Sequence, residues 1–473
     1  MSAAEAGAVA VVGAGWAGCA AAVELARRGA RVTLFEAART LGGRARGVEI
    51  DGRLLDNGQH ILLGAYKDTL GLLKRVGVDP AAAFLRLPLQ MRYPAGSGGM
   101  DFVAPRLPAP WHMLVALLRA RGLEREDKLA LARFTTAARW MGWRLDTDVS
   151  VSVLLERFGQ TARLQRLMWH PLCLAALNTA PERASANVFL AVLRDSLGAK
   201  RAASDMLIPR LELGALFPQA AARYLASKGG SVQTGVKVDS IRPDGSRWQL
   251  AAGDQALGSD GRGAFDAVVL ATPAAQSGAL LAALPETAEV SAQLKGFDYE
   301  PIATCYLQYD ANLRLPLPFC ALLDAPAQGR FGQFVFDRGQ LDGKQNGLLA
   351  IVVSAAGEAA ALDQDSLAAA IAAQLDAAFP GLGLGTPTWR RVITEKRATF
   401  ACTPGLERPA NATALPGLVL AGDYTSGDYP ATLESAVRSG QLAATIILRG
   451  NRSGRKNGSL SHDAGSAQAG SVQ

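Results

Sequence analysis

The stretch Val9-Ala-Val-Val-Gly-Ala-Gly-Trp-Ala-Gly18 decides the fold of this chain. Small and branched apolar residues precede Gly13, as in a buried strand, and residues 19–28 have the composition of a helix. In this order Gly13 makes a tight turn, Gly15 lets the backbone approach a phosphate, and Gly18 lets the helix pack on the strand. The amides at the start of such a helix face an anion. The stretch therefore predicts a site for the pyrophosphate of a dinucleotide.

A second strand and an acidic residue strengthen this prediction. Arg31-Val-Thr-Leu-Phe35 is typical of the next strand, and it ends on Glu36. A carboxylate at this point accepts both ribose hydroxyls of an adenosine and repels a 2′-phosphate. A glycine-rich turn without a ligand is the alternative, and it explains neither the strand, the helix nor the acid. The N-terminal part is therefore predicted to be a Rossmann-type α/β unit.

Composition narrows the class of protein further. The chain has 473 residues, of which 49% are hydrophobic, which is enough for two or three domains. Its five cysteines are scattered and its four histidines never stand at metal-ligand spacing, so we expect a reducing cytoplasm, no disulfides and no metal. The net charge of +7 is spread along the chain without a nucleic-acid motif. It fits solvated charge or an anionic membrane surface, and we predict no nucleic-acid partner.

Two further motifs narrow the cofactor. Leu41-Gly-Gly-Arg-Ala-Arg46 resembles the GGR segment of flavin amine oxidases and carotenoid desaturases, and Gly417-Leu-Val-Leu-Ala-Gly-Asp423 resembles the segment with which that superfamily closes its FAD site. The resemblance implies FAD rather than NAD. It places Asp423 at the ribityl or pyrophosphate end, and a helix that starts near Thr432 with its amides toward the flavin. The later glycine cluster at 258–263 has no strand ahead of it, so a reductant such as NADPH is not expected to bind stably.

The stretches Leu55-Asp-Asn-Gly-Gln-His-Ile-Leu-Leu-Gly-Ala-Tyr66 and Tyr429-Pro-Ala-Thr-Leu-Glu-Ser435 narrow the family. With them the chain resembles the squalene-associated FAD-dependent desaturases of bacterial hopanoid clusters, that is, the hydroxysqualene dehydroxylases. The resemblance implies a C30 isoprenoid substrate, reduction of hydroxysqualene to squalene, and a functional association with squalene-pathway synthases. Together the motifs and the resemblance assign to the cofactor Gly13, Gly15, Trp16, Ala17, Gly18, Glu36, Gly43, Arg44, Asn57, Gly58, Val238, Gly422, Asp423, Thr432 and Leu433.

The order of predicted elements indicates two interleaved domains, as in the amine oxidases and phytoene desaturases that the chain resembles. An FAD-binding domain is predicted from 1–83, 205–290 and 405–450, and an α+β substrate domain from 84–204 and 291–404. In the substrate domain the pattern predicts one long helix from Arg119 to Trp143. Residues 451–473 are rich in Gly, Ser and Asn and are predicted to be a disordered tail.

The implied reaction needs an acid beside an apolar cavity. An allylic alcohol ionises when its hydroxyl is protonated as it leaves, and hydride from the reduced flavin then quenches the cation. His60 is the first candidate for the acid, with a hydrogen-bonded place in the cavity wall as the alternative. Tyr424 and Tyr429 flank the closing segment and are candidates for either role.

Other functions remain open at this point. A carotenoid-type desaturase or a flavin amine oxidase takes hydride from its substrate, although Gly422 and Asp423 stand where amine oxidases more often have Gly-Glu. Non-catalytic proteins of this fold bind prenylated GTPases, and they have no need of the complete set of motifs. No apolar run reaches the ~18 residues of a membrane span. Leu107–Arg121 is predicted either to lie in the membrane interface, on the inner face of the cytoplasmic membrane, or to pack on the substrate domain.

Overall fold

The glycine-rich stretch lies where a central strand of a parallel sheet meets a buried helix. The computed structural model describes residues 6–258 and 264–459. Its strands are β1 (Ala6–Val12), β2 (Ala30–Glu36), β3 (Gly47–Ile50), β4 (Arg53–Asp56), β5 (Leu62–Leu63), β6 (Phe84–Leu87), β7 (Gln90–Arg92), β8 (Asp101–Val103), β9 (Met206–Pro209), β10 (Ser231–Thr234), β11 (Ser240–Asp244), β12 (Arg247–Ala252), β13 (Gln255–Leu257), β14 (Ala264–Phe265), β15 (Ala267–Leu270), β16 (Tyr299–Gln308), β17 (Phe319–Ala321), β18 (Phe334–Asp337), β19 (Leu348–Val353), β20 (Trp389–Phe400) and β21 (Leu418–Leu420).

The helices run between and after these strands. They are α1 (Trp16–Arg27), α2 (Lys67–Arg75), α3 (Pro80–Ala83), α4 (Trp111–Arg119), α5 (Arg125–Trp140), α6 (Val151–Arg157), α7 (Ala162–Leu164), α8 (His170–Leu177), α9 (Ala186–Ser196), α10 (Arg201–Ser204), α11 (Leu213–Leu216), α12 (Pro218–Ser227), α13 (Ala274–Leu281), α14 (Ala288–Lys295), α15 (Gln364–Ala378) and α16 (Leu433–Ser459). A π-helical turn at Gln165–Trp169 leads directly into α8.

The first sheet confirms the Rossmann-type α/β prediction. Within the described residues its parallel strands have the order β10-β2-β1-β15-β21, so the chain contributes to it from both ends. β1 is buried on both faces, which explains why its sequence is apolar throughout rather than alternating. Helix α1 covers this sheet and packs on α16 at Gly440, where an added Cβ would lie 2.1 Å from the Ala17 carbonyl oxygen. The backbones of α1 and α16 are therefore in direct contact at Gly440.

The second sheet has the order β17-β18-β19-β16-β20 and is antiparallel. Successive side chains of a strand point to opposite faces. Ala303, Cys305 and Leu307 of β16 pack with Leu367 and Ile371 of α15 on one face. The other face of β16 is turned toward the loop that follows β4, because Tyr306 hydrogen-bonds to that loop. The second sheet therefore forms one wall beside the loop after β4.

The predicted helix from Arg119 to Trp143 is wrong. The chain leaves the helical conformation after Arg119 and enters α5 only at Arg125. Gly122 has φ +78°, and a Cβ there would lie 2.4 Å from the Gly99 carbonyl oxygen, so the connection packs against the β8 hairpin instead of continuing a helix. The side chains of Glu124 and Asp127 then form a capping box that starts α5.

Helix α16 continues through Ser459 and so includes residues 451–459 of the predicted tail. The rest of that prediction, residues 460–473, lies outside the described residues, as do residues 259–263 of the predicted glycine cluster. Gly258 follows β13, which belongs to an antiparallel sheet and not to a second dinucleotide unit. The predicted domain boundaries stay a prediction.

Candidate functional site

The turn between β1 and α1 has the geometry that its glycines predict. Gly13 has φ +101°, and a Cβ there would lie 2.7 Å from the Ala271 carbonyl oxygen. At Gly18 a Cβ would lie 1.9 Å from the Gly13 carbonyl oxygen, so only glycine allows this close packing. At Gly15, by contrast, an added Cβ meets no atom within 4 Å. The N-terminus of α1, which begins with Trp16 and Ala17, therefore opens onto free space.

The Gly42–Gly43 turn forms a second side of this space. The Gly42 amide donates to the Ala14 carbonyl oxygen at 2.9 Å, so the two turns are joined by their backbones. Gly43 has φ +60°, and a Cβ there would lie 3.2 Å from the Gly15 Cα. A side chain at Gly43 would therefore narrow the space between the Gly42–Gly43 turn and the turn that contains Gly15.

Glu36 closes the edge of the space at the end of β2. One carboxylate oxygen accepts the Ala14 amide at 2.8 Å and the other accepts the Ala38 amide at 2.9 Å. The carboxylate is thus held in place while each oxygen keeps a lone pair for a further donor. Val238 is buried in the segment after β10, which is joined to Glu36 by the Val236 amide.

The C-terminal motif meets this site through an ion pair. The Arg44 guanidinium binds a carboxylate oxygen of Asp423 at 2.6 Å and the Ala398 carbonyl oxygen at 2.6 Å. The Gly422 amide donates to the Ser439 hydroxyl at 2.9 Å, which ties the Gly-Asp turn to α16. Residues that are far apart in the sequence are thereby brought to one site.

Helix α16 begins as its sequence predicts. The Thr432 hydroxyl accepts the Ser435 amide at 3.2 Å, as an N-cap does, and Leu433 is the first helical residue. The Arg408 guanidinium donates to the Asp423 and Tyr429 carbonyl oxygens and so holds the turn that leads into the helix. The first turn of this helix gives the site a second helix N-terminus with partial positive charge.

The loop after β4 is supported by a buried polar network that sequence analysis missed. The side-chain amide of Gln59 donates from Nε2 to the Tyr306 hydroxyl at 2.8 Å, and its Oε1 accepts from the Arg338 guanidinium at 2.9 Å. The Tyr306 hydroxyl in turn donates to the Asp56 carbonyl oxygen at 2.7 Å. Burial raises the pKa of Asp56 to about 6, although its carboxylate accepts the Leu213 amide. The network fixes the backbone before Gly58.

Asn57 and Gly58 lie where this loop passes the Gly42–Gly43 turn. The Asn57 amide donates to the Arg46 carbonyl oxygen at 3.0 Å, which joins the loop to the segment after that turn. A Cβ at Gly58 would lie 3.8 Å from the His60 ring and 3.9 Å from the Thr304 hydroxyl. Gly58 is therefore next to His60, and Asn57 precedes it in the same loop.

His60 is half-buried, and its protonation state follows from one contact. Its Nδ1 lies 2.9 Å from the Gly58 carbonyl oxygen, which only accepts, so Nδ1 carries a hydrogen. In the neutral ring Nε2 is then an acceptor. Burial lowers the pKa of His60, which favours this neutral form. His60 is an acid only after Nε2 has taken up a proton.

The two tyrosines have different surroundings. The Tyr424 hydroxyl lies 3.0 Å from the Ser277 hydroxyl, and burial raises its pKa, so the phenol stays protonated. The Tyr429 hydroxyl donates to the Asp195 carboxylate, and the Arg438 guanidinium lies 4.4 Å from the centre of its ring. The hydrogen of Tyr429 is thus committed to Asp195, which favours a structural role for this residue.

These features fit FAD. The open space at Gly15 is bordered by a helix N-terminus for a pyrophosphate, by the Glu36 carboxylate for a ribose, and by the joined Arg44 and Asp423. Arg338, Thr304 and Tyr306 are additions that the motifs did not reveal. For Thr304 and Tyr306 the signal is alternation, because polar residues at every second position interrupt the apolar part of β16. Arg338 follows β18 and has no such signal.

Comparison with known proteins places this site in a family. The model of the flavin-containing amine oxidoreductases matches residues 16–448. The hydroxysqualene dehydroxylase of Rhodopseudomonas palustris is 30% identical, over 93% of this chain and 98% of its own. The hydroxysqualene dehydroxylase of Zymomonas mobilis is 28% identical, over 93% of this chain and 98% of its own. The zeta-carotene desaturase of Synechocystis is 25% identical, over 93% and 97%.

Solved structures show the same fold. An oxidoreductase from Methanosarcina mazei has a TM-score of 0.69 at 16% identity, over 93% of this chain and 99% of its own. Cyclohexylamine oxidase from Brevibacterium oxydans has a TM-score of 0.62 at 19% identity, over 94% and 100%. The dinucleotide cradle, the fold and the relatives agree, and this chain is an FAD-dependent oxidoreductase that belongs to the flavin-containing amine oxidoreductase family and, within it, to the hydroxysqualene dehydroxylases.

Proposed function

We propose that this protein reduces hydroxysqualene to squalene. The substrate accepts a hydride and a proton, its C–O bond breaks, and the oxygen leaves as water. The observation that carries the proposal is an apolar wall with few polar groups beside His60. On the face of the second sheet that carries Tyr306, Phe334, Val352 and Ile393 stand in one row, as a hydrocarbon substrate requires.

The chain's own residues then have distinct tasks. FAD, when bound and reduced, supplies the hydride. The amides at the start of α16, after Thr432, stabilise negative charge at the site. The loop with Asn57 and Gly58 lies between the Gly42–Gly43 turn and the apolar wall, and it keeps the two apart. His60, once doubly protonated, delivers the proton from Nε2 to the departing oxygen, which in an apolar site cannot leave as hydroxide.

The need for a proton separates this proposal from the main alternative. A desaturase removes hydride from a polyene and has no departing hydroxyl to protonate. The hydroxysqualene dehydroxylases are also the more similar relatives, at 28–30% identity against 25% for the desaturase of Synechocystis. A nicotinamide donor acting by transient encounter and a functional association with squalene-pathway synthases are part of the same proposal.

The test is a single turnover without oxygen. FAD-loaded enzyme is reduced with dithionite, freed of excess reductant and mixed with hydroxysqualene, and the flavin absorbance and the products are followed. We expect the flavin to be reoxidised and one squalene to be formed for each flavin. Oxidised enzyme mixed with phytoene is the matched arm. Reduction of the flavin by phytoene, with no reoxidation by hydroxysqualene, would make the protein a desaturase.

We also propose that α4 rests on an anionic membrane surface. Trp111, Leu114 and Leu118 lie on one face of the helix and are 57%, 44% and 65% exposed, whereas His112 and Ala116 on the other face are buried. Exposed arginines stand at 106, 119 and 121 around this face, which suits anionic headgroups. No helix in the described part of the chain is long and apolar enough to cross a membrane. The proposed contact is that of a helix lying on the membrane surface.

A further inference from the structure

Thr304 carries a buried hydroxyl that nothing in the described structure binds. The residue has no exposed surface, and its Oγ1 has no hydrogen-bond partner among the described residues. Burying a hydroxyl without a partner costs free energy, so such groups are uncommon unless a ligand completes them. The neighbouring polar side chain on this strand face, Tyr306, is bonded to both Gln59 and Asp56. Thr304 is thus the unsatisfied member of this strand face.

In the sheet, Thr304 has apolar neighbours on both adjacent strands. In the register of the second sheet Thr304 lies between Val352 of β19 and Ile393 of β20, and Phe334 of β18 lies beyond Val352. Side chains directly opposite each other in neighbouring strands share one face. Val352 and Ile393 are only half-buried, so this row borders accessible space. The row therefore holds one fully buried hydroxyl between two half-buried apolar side chains, and a ligand reaches it when these side chains move apart.

Thr304 also lies near the one imidazole of the site. The side chain that Gly58 lacks would touch both groups, since its Cβ would lie 3.9 Å from Thr304 Oγ1 and 3.8 Å from His60 Cε1. In the neutral ring His60 Nε2 is an acceptor, as derived above from its bond to Gly58. A hydroxyl that can donate therefore lies near the ring whose Nε2 can accept.

We propose that Thr304 binds the hydroxyl of the substrate and thereby selects a hydroxylated isoprenoid over the bare hydrocarbon. This rests on the proposed function. The Thr304 hydroxyl donates to one lone pair of the substrate oxygen, and the other lone pair is left for the proton that His60 delivers. Thr304 keeps its own proton when the C–O bond breaks, because an aliphatic hydroxyl is far too weak an acid to supply one. It is a binding and orienting group, and the water that forms remains hydrogen-bonded to it.

The experiment compares binding of hydroxysqualene and of squalene, which differ by this one hydroxyl. Oxidised, FAD-loaded enzyme is used, so that no turnover occurs, and dissociation constants are measured in detergent micelles of fixed composition. We expect wild type to prefer hydroxysqualene. Thr304→Val keeps the shape and removes the hydroxyl, so it should weaken hydroxysqualene binding about tenfold or more and leave squalene binding unchanged. Thr304→Ser should restore the preference.

A structural role for the hydroxyl would produce different results. Because the hydroxyl has no partner in the free protein, Thr304→Val should melt no lower than wild type and retain FAD. Equal affinity of wild type and Thr304→Val for hydroxysqualene would overturn the proposal, as would an equal loss for both ligands. A shift of the flavin absorbance in ligand-free Thr304→Val would overturn it too, because Thr304 would then bind the cofactor.

Two controls keep these outcomes distinct. If Thr304→Val does not fold, Thr304→Ala is measured in its place, and failure of both to fold or to hold FAD would overturn the proposal in favour of a structural hydroxyl. The proposed function fails separately, when reduced wild type does not convert hydroxysqualene. In that case the binding preference for the hydroxyl still decides whether Thr304 recognises it.

Discussion

His60 shows at the scale of one residue how burial sets a chemical role. Its Nδ1 hydrogen is used by the Gly58 carbonyl, so Nε2 alone can exchange a proton with a ligand. Burial holds the pKa of His60 below its ordinary value of 6.5. The imidazolium is therefore the minor form near neutral pH, and its share grows as the pH falls toward the lowered pKa.

This determines the sign of a pH dependence. We expect the single-turnover rate with hydroxysqualene to rise as the pH falls from about 8 to about 6, because the acid form of His60 becomes more populated. His60→Ala should slow the rate by about 10²-fold at the lower pH and remove most of the dependence while FAD stays bound. Stopped-flow absorbance measures both. His170→Gln, a change at another half-buried histidine, is the control and should follow wild type.

An unchanged rate in His60→Ala would place His60 in the wall and move the search for the acid to Tyr424. The phenol of Tyr424 is protonated and in contact with Ser277. Tyr429 is the weaker alternative, since its hydrogen is bound by Asp195.

Site residues could be predicted when they belong to a short, continuous sequence motif. Gly13, Glu36 and Asp423 each stand in such a stretch, whose spacing dictates its geometry. Thr304 and Arg338 belong to no such motif. They come near the loop after β4 only through the pairing of strands that lie far along the chain, and no local spacing records that pairing. Sequence alone therefore indicated the cofactor better than the substrate wall.

At the scale of elements, the contact between α1 and α16 is the most restrictive. Gly440→Val places a side chain against the Ala17 backbone, which cannot give way without moving α1. We expect a loss of about 1–3 kcal/mol in the free energy of unfolding and weaker FAD retention, because α1 carries the phosphate turn.

Chemical denaturation and cofactor release on dilution measure these two effects. Gly71→Ala in α2 is the matched control. An added Cβ at Gly71 meets no atom within 4 Å, so alanine should raise stability by about 0.5–1 kcal/mol through helix propensity. A Gly440→Val protein as stable as wild type would show that α16 can shift to accommodate a side chain.

The proposed membrane contact of α4 is tested by changing its exposed face. Trp111→Asp with Leu114→Asp should abolish flotation with vesicles that contain about 30% anionic lipid, because the change puts charge on the apolar face. Leu362→Asp with Leu382→Asp changes two leucines that are 41% and 36% exposed elsewhere, and it should float like wild type. Full binding of the α4 variant would remove α4 as the contact.

Element boundaries were predicted well wherever the chain itself determines them. The strand predicted at Arg31–Phe35, ending on Glu36, is β2 (Ala30–Glu36), and the helix predicted to start near Thr432 begins at Leu433. The helix from Arg119 to Trp143 failed because helix propensity on both sides of Gly122 outweighed one glycine in the pattern. The contact of Gly122 with Gly99, a tertiary feature, decides the break.

At the scale of the whole molecule, the cofactor site joins both ends of the chain. Ligands that bind only the folded state stabilise it in proportion to the logarithm of their concentration over Kd, by about 3 kcal/mol at a hundredfold excess. We expect removal of FAD to lower the melting temperature and added FAD to restore it. FMN should not restore it, because it lacks the adenosine that Glu36 and the α1 turn are arranged to bind. Differential scanning calorimetry of the apoprotein with either flavin provides the comparison.

The sheet order β10-β2-β1-β15-β21 has a consequence for biosynthesis. A ribosome releases β1 and the phosphate turn first, and β21, Asp423 and α16 emerge roughly 400 residues later, at roughly 5–20 residues per second. For tens of seconds the nascent polypeptide exposes half of a binding site and an apolar sheet edge without its neighbour. We therefore expect the flavin to be captured stably only after β21 and α16 have docked, and the chain to need a chaperone most before that point.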